Sequence, residues 1–271
     1  MNLLLVASLA ILLYLLATAR IGQRFVSAGQ ETADQPDAKM LIASFSALLL
    51  HGFMLYQLIF THSGLNMGFY NALSLVSWVI TLLVILTTLV KPTANLAMVI
   101  FPITSFSLLL DYLFPSVRLV SGSANYGLDL HIIFSIAAYS LLSIAALQAV
   151  ILAIQEHQLR AKHPVKVMRL LPPMQTMEEL LVQLLWTGFF LLSLGLATGL
   201  MFIHDLLGQH LVHKTVLSIM AWLFFGLLLF GRSTWGWRGK YLVRFTLGGF
   251  TLLMLSYFGS KLVLELILQR V

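Results

Sequence analysis

The sequence of 271 residues contains no cysteine. Disulfides, thiolate metal sites, a CxxC thiol relay and covalent attachment of a prosthetic group through CxxCH are therefore excluded. Charge is scarce too: Asp, Glu, Lys and Arg make up 10% of the chain, against 59% hydrophobic residues. No HExxH, GxSxG or P-loop motif occurs, and no paired carboxylates lie inside an apolar run. Membrane-protease, hydrolase, NTPase and proton-pump chemistry thus lack their usual carriers, and no enzyme is expected. Spans interrupted at matching positions of two halves, the hint of a secondary transporter, are missing as well.

What remains is apolar length. Mean hydropathy is +0.94, and long runs almost free of charge recur along the chain. A bilayer core about 30 Å thick takes ~20 such residues per helical crossing. Nothing resembles the ten-residue alternation of a membrane β-barrel. The expected fold is all-α: a polytopic transmembrane helix bundle of about eight spans, near 2–19, 40–61, 70–90, 95–114, 128–153, 180–203, 215–231 and 245–267. A single integral membrane domain over 1–271 is the simplest organisation, multi-pass in the cell inner (plasma) membrane, with lipid as its main partner.

The first span does not read as a cleaved signal peptide, because Arg20 and Arg24 follow it directly and no small-residue cleavage site is clear. Twelve of the sixteen lysines and arginines fall in alternate gaps: Arg20, Arg24, Lys39, Lys91, Arg160, Lys162, Lys166, Arg169, Arg232, Arg238, Lys240 and Arg244. Only Arg118, Lys214, Lys261 and Arg270 lie on the opposite side. Basic loops stay in the cytosol, so both termini are expected outside. The formal charge of +6 is then topological, and no nucleic-acid partner is implied.

Histidine is the one side chain that gathers. HDLLGQHLVHK, residues 204–214, carries His204, His210 and His213 between two apolar runs. His131 opens the fifth span and His62 closes the second, both at the same outer level. His51 lies near the middle of the second span, about 17 Å deep at about 1.5 Å per residue. Neutral imidazole is a good ligand for iron, zinc or copper, and haem iron is often held by histidine. His131 paired with His204, His210 or His213 meets the depth condition for a metal or haem site. An interfacial polar group explains an outer histidine equally simply, and a hydrogen bond to a neighbouring helix would suffice for His51.

Other motifs read structurally. Ser135, Ala138, Ala145 and Ala149 continue the His131 helix as a small-residue stripe, suited to close packing or to a flat ligand. GLATG, Gly195 to Gly199, with Gly188 before it, suits close packing of the sixth span. Pro102 is expected to kink the fourth. PVKVMRLLPPMQTMEELL reads as a surface element broken by Pro172 and Pro173, with Glu178 and Glu179 starting the next helix. Lys261 and Glu265 are expected to snorkel to the surface.

Residues 213–250, HKTVLSIMAWLFFGLLLFGRSTWGWRGKYLVRFTLGGF, carry an ordered pattern: Lys214, Trp222, Arg232, then Gly236, Trp237, Arg238 and Gly239, then Gly249 and Phe250. Upstream stand Leu130, His131 and Tyr139, then an LPP…EELL…G…G segment, and NALSLVSW after His51. Over roughly 40–260 this resembles the cytochrome c assembly membrane-protein family, the haem-handling group that includes HemX, CcsA and CcmC. The resemblance implies non-covalent haem near the outer face, in cytochrome c assembly or haem delivery. It gives His131 the role of external haem ligand and, more weakly, gives His51 a role toward haem inside the membrane. Arg118 and Lys214 are candidate partners of the haem propionates, with lipid headgroups an equal alternative, and an outer-side or membrane protein is the implied acceptor.

Two departures stand out. The family's Trp-rich segment before Pro-Lys is replaced by HDLLGQHLVHK, without Trp or Pro, and its histidine after the last span has no match in KLVLELILQRV. Either the local histidines substitute, or this branch keeps the fold as a membrane scaffold or regulatory subunit without haem. A transporter or export channel using His51 is the third reading.

Overall fold

The structure is a computed structural model and describes residues 2–28, 37–61, 64–91, 93–115, 119–120, 126–160, 171–202 and 212–263. Among the described residues, eight helices are long and apolar enough to cross a membrane. They are α1 (Leu3–Ala28), α2 (Ala38–Ile59), α3 (Phe69–Thr88), α4 (Ala94–Leu113), α5 (Tyr126–Arg160), α6 (Met174–Phe202), α7 (Val212–Trp235) and α8 (Lys240–Met254), the last reaching spanning length only with its continuation to Gly259. The all-α membrane architecture expected from the hydropathy pattern is therefore found. The chain divides into two compact units, α1–α4 and α5–α8.

In the first unit, polarity is turned inside out relative to a soluble protein. Ser44, His51, Ser74, Ser77, Thr81, Thr104, Ser107 and Asp111 are buried, while Leu49, Ile103 and Phe106 are more than half exposed. Such a surface suits lipid, where an outward hydroxyl would have no partner. The buried hydroxyls instead pair across α3 and α4, Ser77 Oγ with Ser107 Oγ at 2.5 Å and Thr81 Oγ1 with Thr104 Oγ1 at 2.7 Å. Helix α1 buries Val6, Ala7, Ala10, Tyr14, Ala17 and Ile21 at spacings of three and four, the stripe a packed helix requires. At the opposite end of α1, Arg20 Nε donates to Asp37 Oδ2 at 2.8 Å, and Asp37 Oδ1 accepts the Lys39 N–H that opens α2. The Arg20 hydrogen bond holds the Asp37 carboxyl below its ordinary range.

Although no strands are expected from the hydropathy pattern, a small antiparallel sheet joins helix ends in this unit. It pairs Phe60–Thr61 with Gly64–Asn66, and the latter with Leu119–Val120. Helix α4 runs through Pro102 as one element.

In the second unit, α5 and α6 touch along a line of glycines. A Cβ on Gly127 would overlap the Phe202 ring, one on Gly188 would lie 2.8 Å from Leu142, and one on Gly195 would lie 3.1 Å from Ser135 Oγ. Ala138, Ala145 and Ala149 are fully buried in α5. The stripe on α5 thus serves helix packing. With 35 residues, α5 is about 50 Å long and outreaches a hydrocarbon core of about 30 Å.

Helix α6 starts at Met174, ahead of the expected Glu178, because a turn begun after Pro173 continues into the span. Glu178 is consequently inside the helix and buried. Its Oε1 accepts the Gly239 N–H at 2.9 Å, and its Oε2 lies 3.8 Å from Arg238 Nε. This anchors the Gly-Trp-Arg-Gly turn between α7 and α8, where Gly236 and Gly239 adopt left-handed φ of 65° and 53°. Arg232 closes the turn by donating to the Trp237 carbonyl at 3.0 Å.

Beyond Met254 the last helix passes into a π-helical stretch, Leu255–Gly259. There Ser256 Oγ donates to the Lys214 carbonyl at 2.8 Å. Lys261 does not snorkel as expected: it is buried, with Nζ 5.2 Å from the centroid of Tyr257, because the helix continues past the π stretch with that side facing inward. Glu265 lies outside the described residues.

The glycine contact of α5 and α6 is testable. Gly188→Leu forces atoms into the space of Leu142 and should destabilise the protein by about 1–3 kcal/mol. Thermal unfolding in detergent reads this as a lower melting temperature; an unchanged one would show that the helices do not meet there.

Candidate functional site

Of the histidines expected to act, His131 has the most defined setting. It sits in the second turn of α5, half-buried against α6. Two glycines one helical turn apart make the place for its ring. At Gly199 a Cβ would lie 2.9 Å from His131 Nδ1 and Cε1, so a larger residue would push the imidazole out. At Gly195 the backbone carbonyl meets Nδ1 at 2.7 Å.

That contact fixes the tautomer. A carbonyl oxygen only accepts, so Nδ1 must carry the proton and donate it. In the neutral ring the lone pair then belongs to Nε2, which has no hydrogen-bond partner among the described residues. An Nδ1–H held by a backbone carbonyl is the usual outer support of a histidine that offers Nε2 to a metal. GLATG therefore does two things, one legible as helix packing and one not. The choice of Gly195 as acceptor depends on the rotation of α5 against α6, which sequence spacing does not reveal.

Two turns further along α5, Tyr139 donates to Met254 Sδ at 2.5 Å, and its ring lies against Phe250, Tyr257 and Phe258. This aromatic group joins α5 to α8. Trp222 stacks on Phe189 at 5.5 Å and donates to Ser193 Oγ at 2.8 Å, joining α7 to α6. Tyr139, Trp222 and Phe250 of the sequence pattern are thus packing partners among the four helices.

The other expected residues are placed less closely. His213 is exposed in the first turn of α7, and no hydrogen bond or ring contact joins it to His131 among the described residues. His204, His210, His62 and Arg118 lie outside the described residues. His51 belongs to the first unit and is fully enclosed: Nε2 lies 2.9 Å from Ser74 Oγ, and the ring meets Tyr14 edge-on with centroids 6.1 Å apart. No group of three or more His, Asp or Glu that could hold a metal ion occurs among the described residues.

Against known families, residues 40–268 match the model of the cytochrome C assembly protein family. The chain belongs to the cytochrome c assembly protein family. The matched stretch spans the roughly 40–260 core in which the sequence motifs were found. The chain is 33% identical over 229 residues to the inner membrane protein YpjD of Escherichia coli K12, covering 84% of this chain and 87% of that protein. YpjD of Escherichia coli O157:H7 matches to the same extent. An uncharacterized 28.8 kDa protein of Azospirillum brasilense is 35% identical over 156 residues, 57% of each chain. No solved structure matches. This member of the cytochrome c assembly family is a multi-pass inner-membrane protein.

The imidazole cradle has a spectroscopic signature. Nitrogen NMR of the ¹⁵N-histidine-labelled protein should show one ring held as the Nδ1–H tautomer, and Gly199→Val should abolish that signal. Retention of the signal in Gly199→Val but loss in His131→Gln would place the ring elsewhere than against α6.

Proposed function

We propose that this cytochrome c assembly family protein is a non-enzymatic haem-handling protein, serving cytochrome c assembly or haem delivery, with His131 as its ligand to iron. The observation that carries the reading is the pair of bonds available to one imidazole: Nδ1 committed to the Gly195 carbonyl, Nε2 left for a ligand. Haem iron takes a neutral imidazole nitrogen of this kind, so the residue fits the group. When bound, haem supplies the iron and porphyrin that the assembly process delivers; the protein's part is to hold it.

Gly199 and Gly195 orient the ring, and the packing of α5 on α6 keeps that orientation fixed. One of His204, His210 or His213 would give the iron a second imidazole, and Lys214 or Arg118 would balance the propionates. The excess of Lys and Arg in alternate loops supports an outer location for both termini and for the His131 end of α5. His51 is left out of this site, since Tyr14 and Ser74 occupy its surroundings. The acceptor of the haem would be a membrane or outer-side protein.

Detergent-purified protein, isolated with haem or reconstituted with it, should show a Soret band that shifts on reduction. His131→Gln should remove most of that band while leaving the helical content unchanged, and loss of one of His204, His210 or His213 should alter the low-spin spectrum. Protein that cannot take up haem, yet co-purifies stably with a membrane partner, would favour a scaffold that keeps the family fold without cofactor.

A further inference from the structure

The turn between α7 and α8 carries charge and exposed rings that the haem reading does not use. From Arg232 to Arg244 the chain reads RSTWGWRGKYLVR, with four cations and no acid. Arg232 is committed to the Trp237 carbonyl. Arg238, Lys240 and Arg244 are exposed. Arg238 has the buried Glu178 carboxylate 3.8 Å away, and that carboxylate also accepts the Gly239 N–H. Glu156 lies 3.7 Å from where a Cβ on Gly239 would stand, and it is paired with Arg160. Among the described residues no acid meets Lys240 or Arg244. These two are one helical turn apart, so their charges lie side by side on α8.

A ladder of rings runs beside them. Trp237 lies over Gly231 and stacks on Tyr241, with centroids 5.6 Å apart. It also meets Trp235 at 5.4 Å and Phe245 at 5.0 Å, and Trp235 meets Phe230 edge-on at 5.6 Å. Phe230, Trp235 and Tyr241 are more than half exposed. From Phe230 the exposed line continues along α7 through Leu227 and Leu223, at spacings of three and four. Tryptophan and tyrosine favour the boundary between headgroups and hydrocarbon. The patch thus presents cations, then boundary rings, then an apolar track.

That order narrows the occupant. A free phosphate would use the cations alone, and a soluble acidic peptide would leave the track on α7 uncovered. A zwitterionic lipid brings its own cation and gains less from two more. A phospholipid with net negative charge uses all three parts.

We propose that the α7–α8 turn binds one anionic phospholipid, its phosphate held by Lys240 and Arg244 and an acyl chain lying along Phe230, Leu227 and Leu223. The site is independent of the haem reading.

The test titrates the detergent-purified full chain with phosphatidylglycerol, phosphatidylcholine, inorganic phosphate or a polyglutamate peptide, counting bound molecules by native mass spectrometry. One phosphatidylglycerol should bind about tenfold or more tighter than phosphatidylcholine. At roughly fivefold per cation, Lys240→Gln combined with Arg244→Gln should weaken phosphatidylglycerol binding about 25-fold and leave phosphatidylcholine nearly unchanged. Lys39→Gln, which removes an exposed cation from α2, should change neither. Equal affinity for the two lipids, or a preference that survives the double variant, would overturn the proposal. An equal loss in Lys39→Gln would overturn it too, since overall charge would then suffice. Inorganic phosphate or polyglutamate binding as tightly as phosphatidylglycerol would overturn it in favour of a soluble anion or an acidic protein.

Discussion

The approach of α5 to α6 rests on missing side-chain atoms. In lipid, burial of apolar surface gives two helices little reason to associate, so contact depends on how near their backbones can come. Gly127, Gly188, Gly195 and Gly199 remove the Cβ atoms that would hold the helices apart. The nearness has a chemical result, because only at that distance does the imidazole of His131 reach a main-chain carbonyl on the neighbouring helix. Packing and the orientation of the imidazole are here one arrangement.

The two units solve the problem of buried polarity differently. In α1–α4, hydroxyl pairs such as Thr81 with Thr104 satisfy one another between helices and leave Asp111 over. In α5–α8, rings dominate: Tyr139 lies among Phe250, Tyr257 and Phe258, and Trp222 lies on Phe189. Hydroxyl pairs are directional and fix register, whereas aromatic contacts fill volume and tolerate small shifts. The haem reading belongs to the aromatic unit.

Much of the fold was legible because hydrocarbon imposes a simple rule on length: all eight spans were visible as apolar runs, with ends displaced where helices outlast the bilayer. Helix α5 shows this, running to Arg160 in a polar sequence that hydropathy ends near 153. The family was legible from ordered residues such as the Gly-Trp-Arg-Gly turn, whose left-handed glycines explain why those positions are glycine. His131 stood out by residue type alone. Its acceptor did not, because which carbonyl of α6 faces it depends on helix rotation. Asp111 escaped notice for a different reason: it lies near a span end, where an acid looks solvated until neighbouring elements are placed over it. Glu178 was misread as a helix start because the anchored turn is 61 residues away in the chain.

The π-helical stretch Leu255–Gly259 holds one backbone residue more than an α-helix of equal rise would need. Everything beyond it is rotated by roughly a quarter turn or more relative to an uninterrupted helix. Related chains one residue shorter at this point could close the widened turn and keep their earlier contacts, yet would turn the ammonium away from its place over Tyr257. Length variation of a single residue here thus works as a rotary adjustment of the final turn, with no need for any substitution in the packed seam.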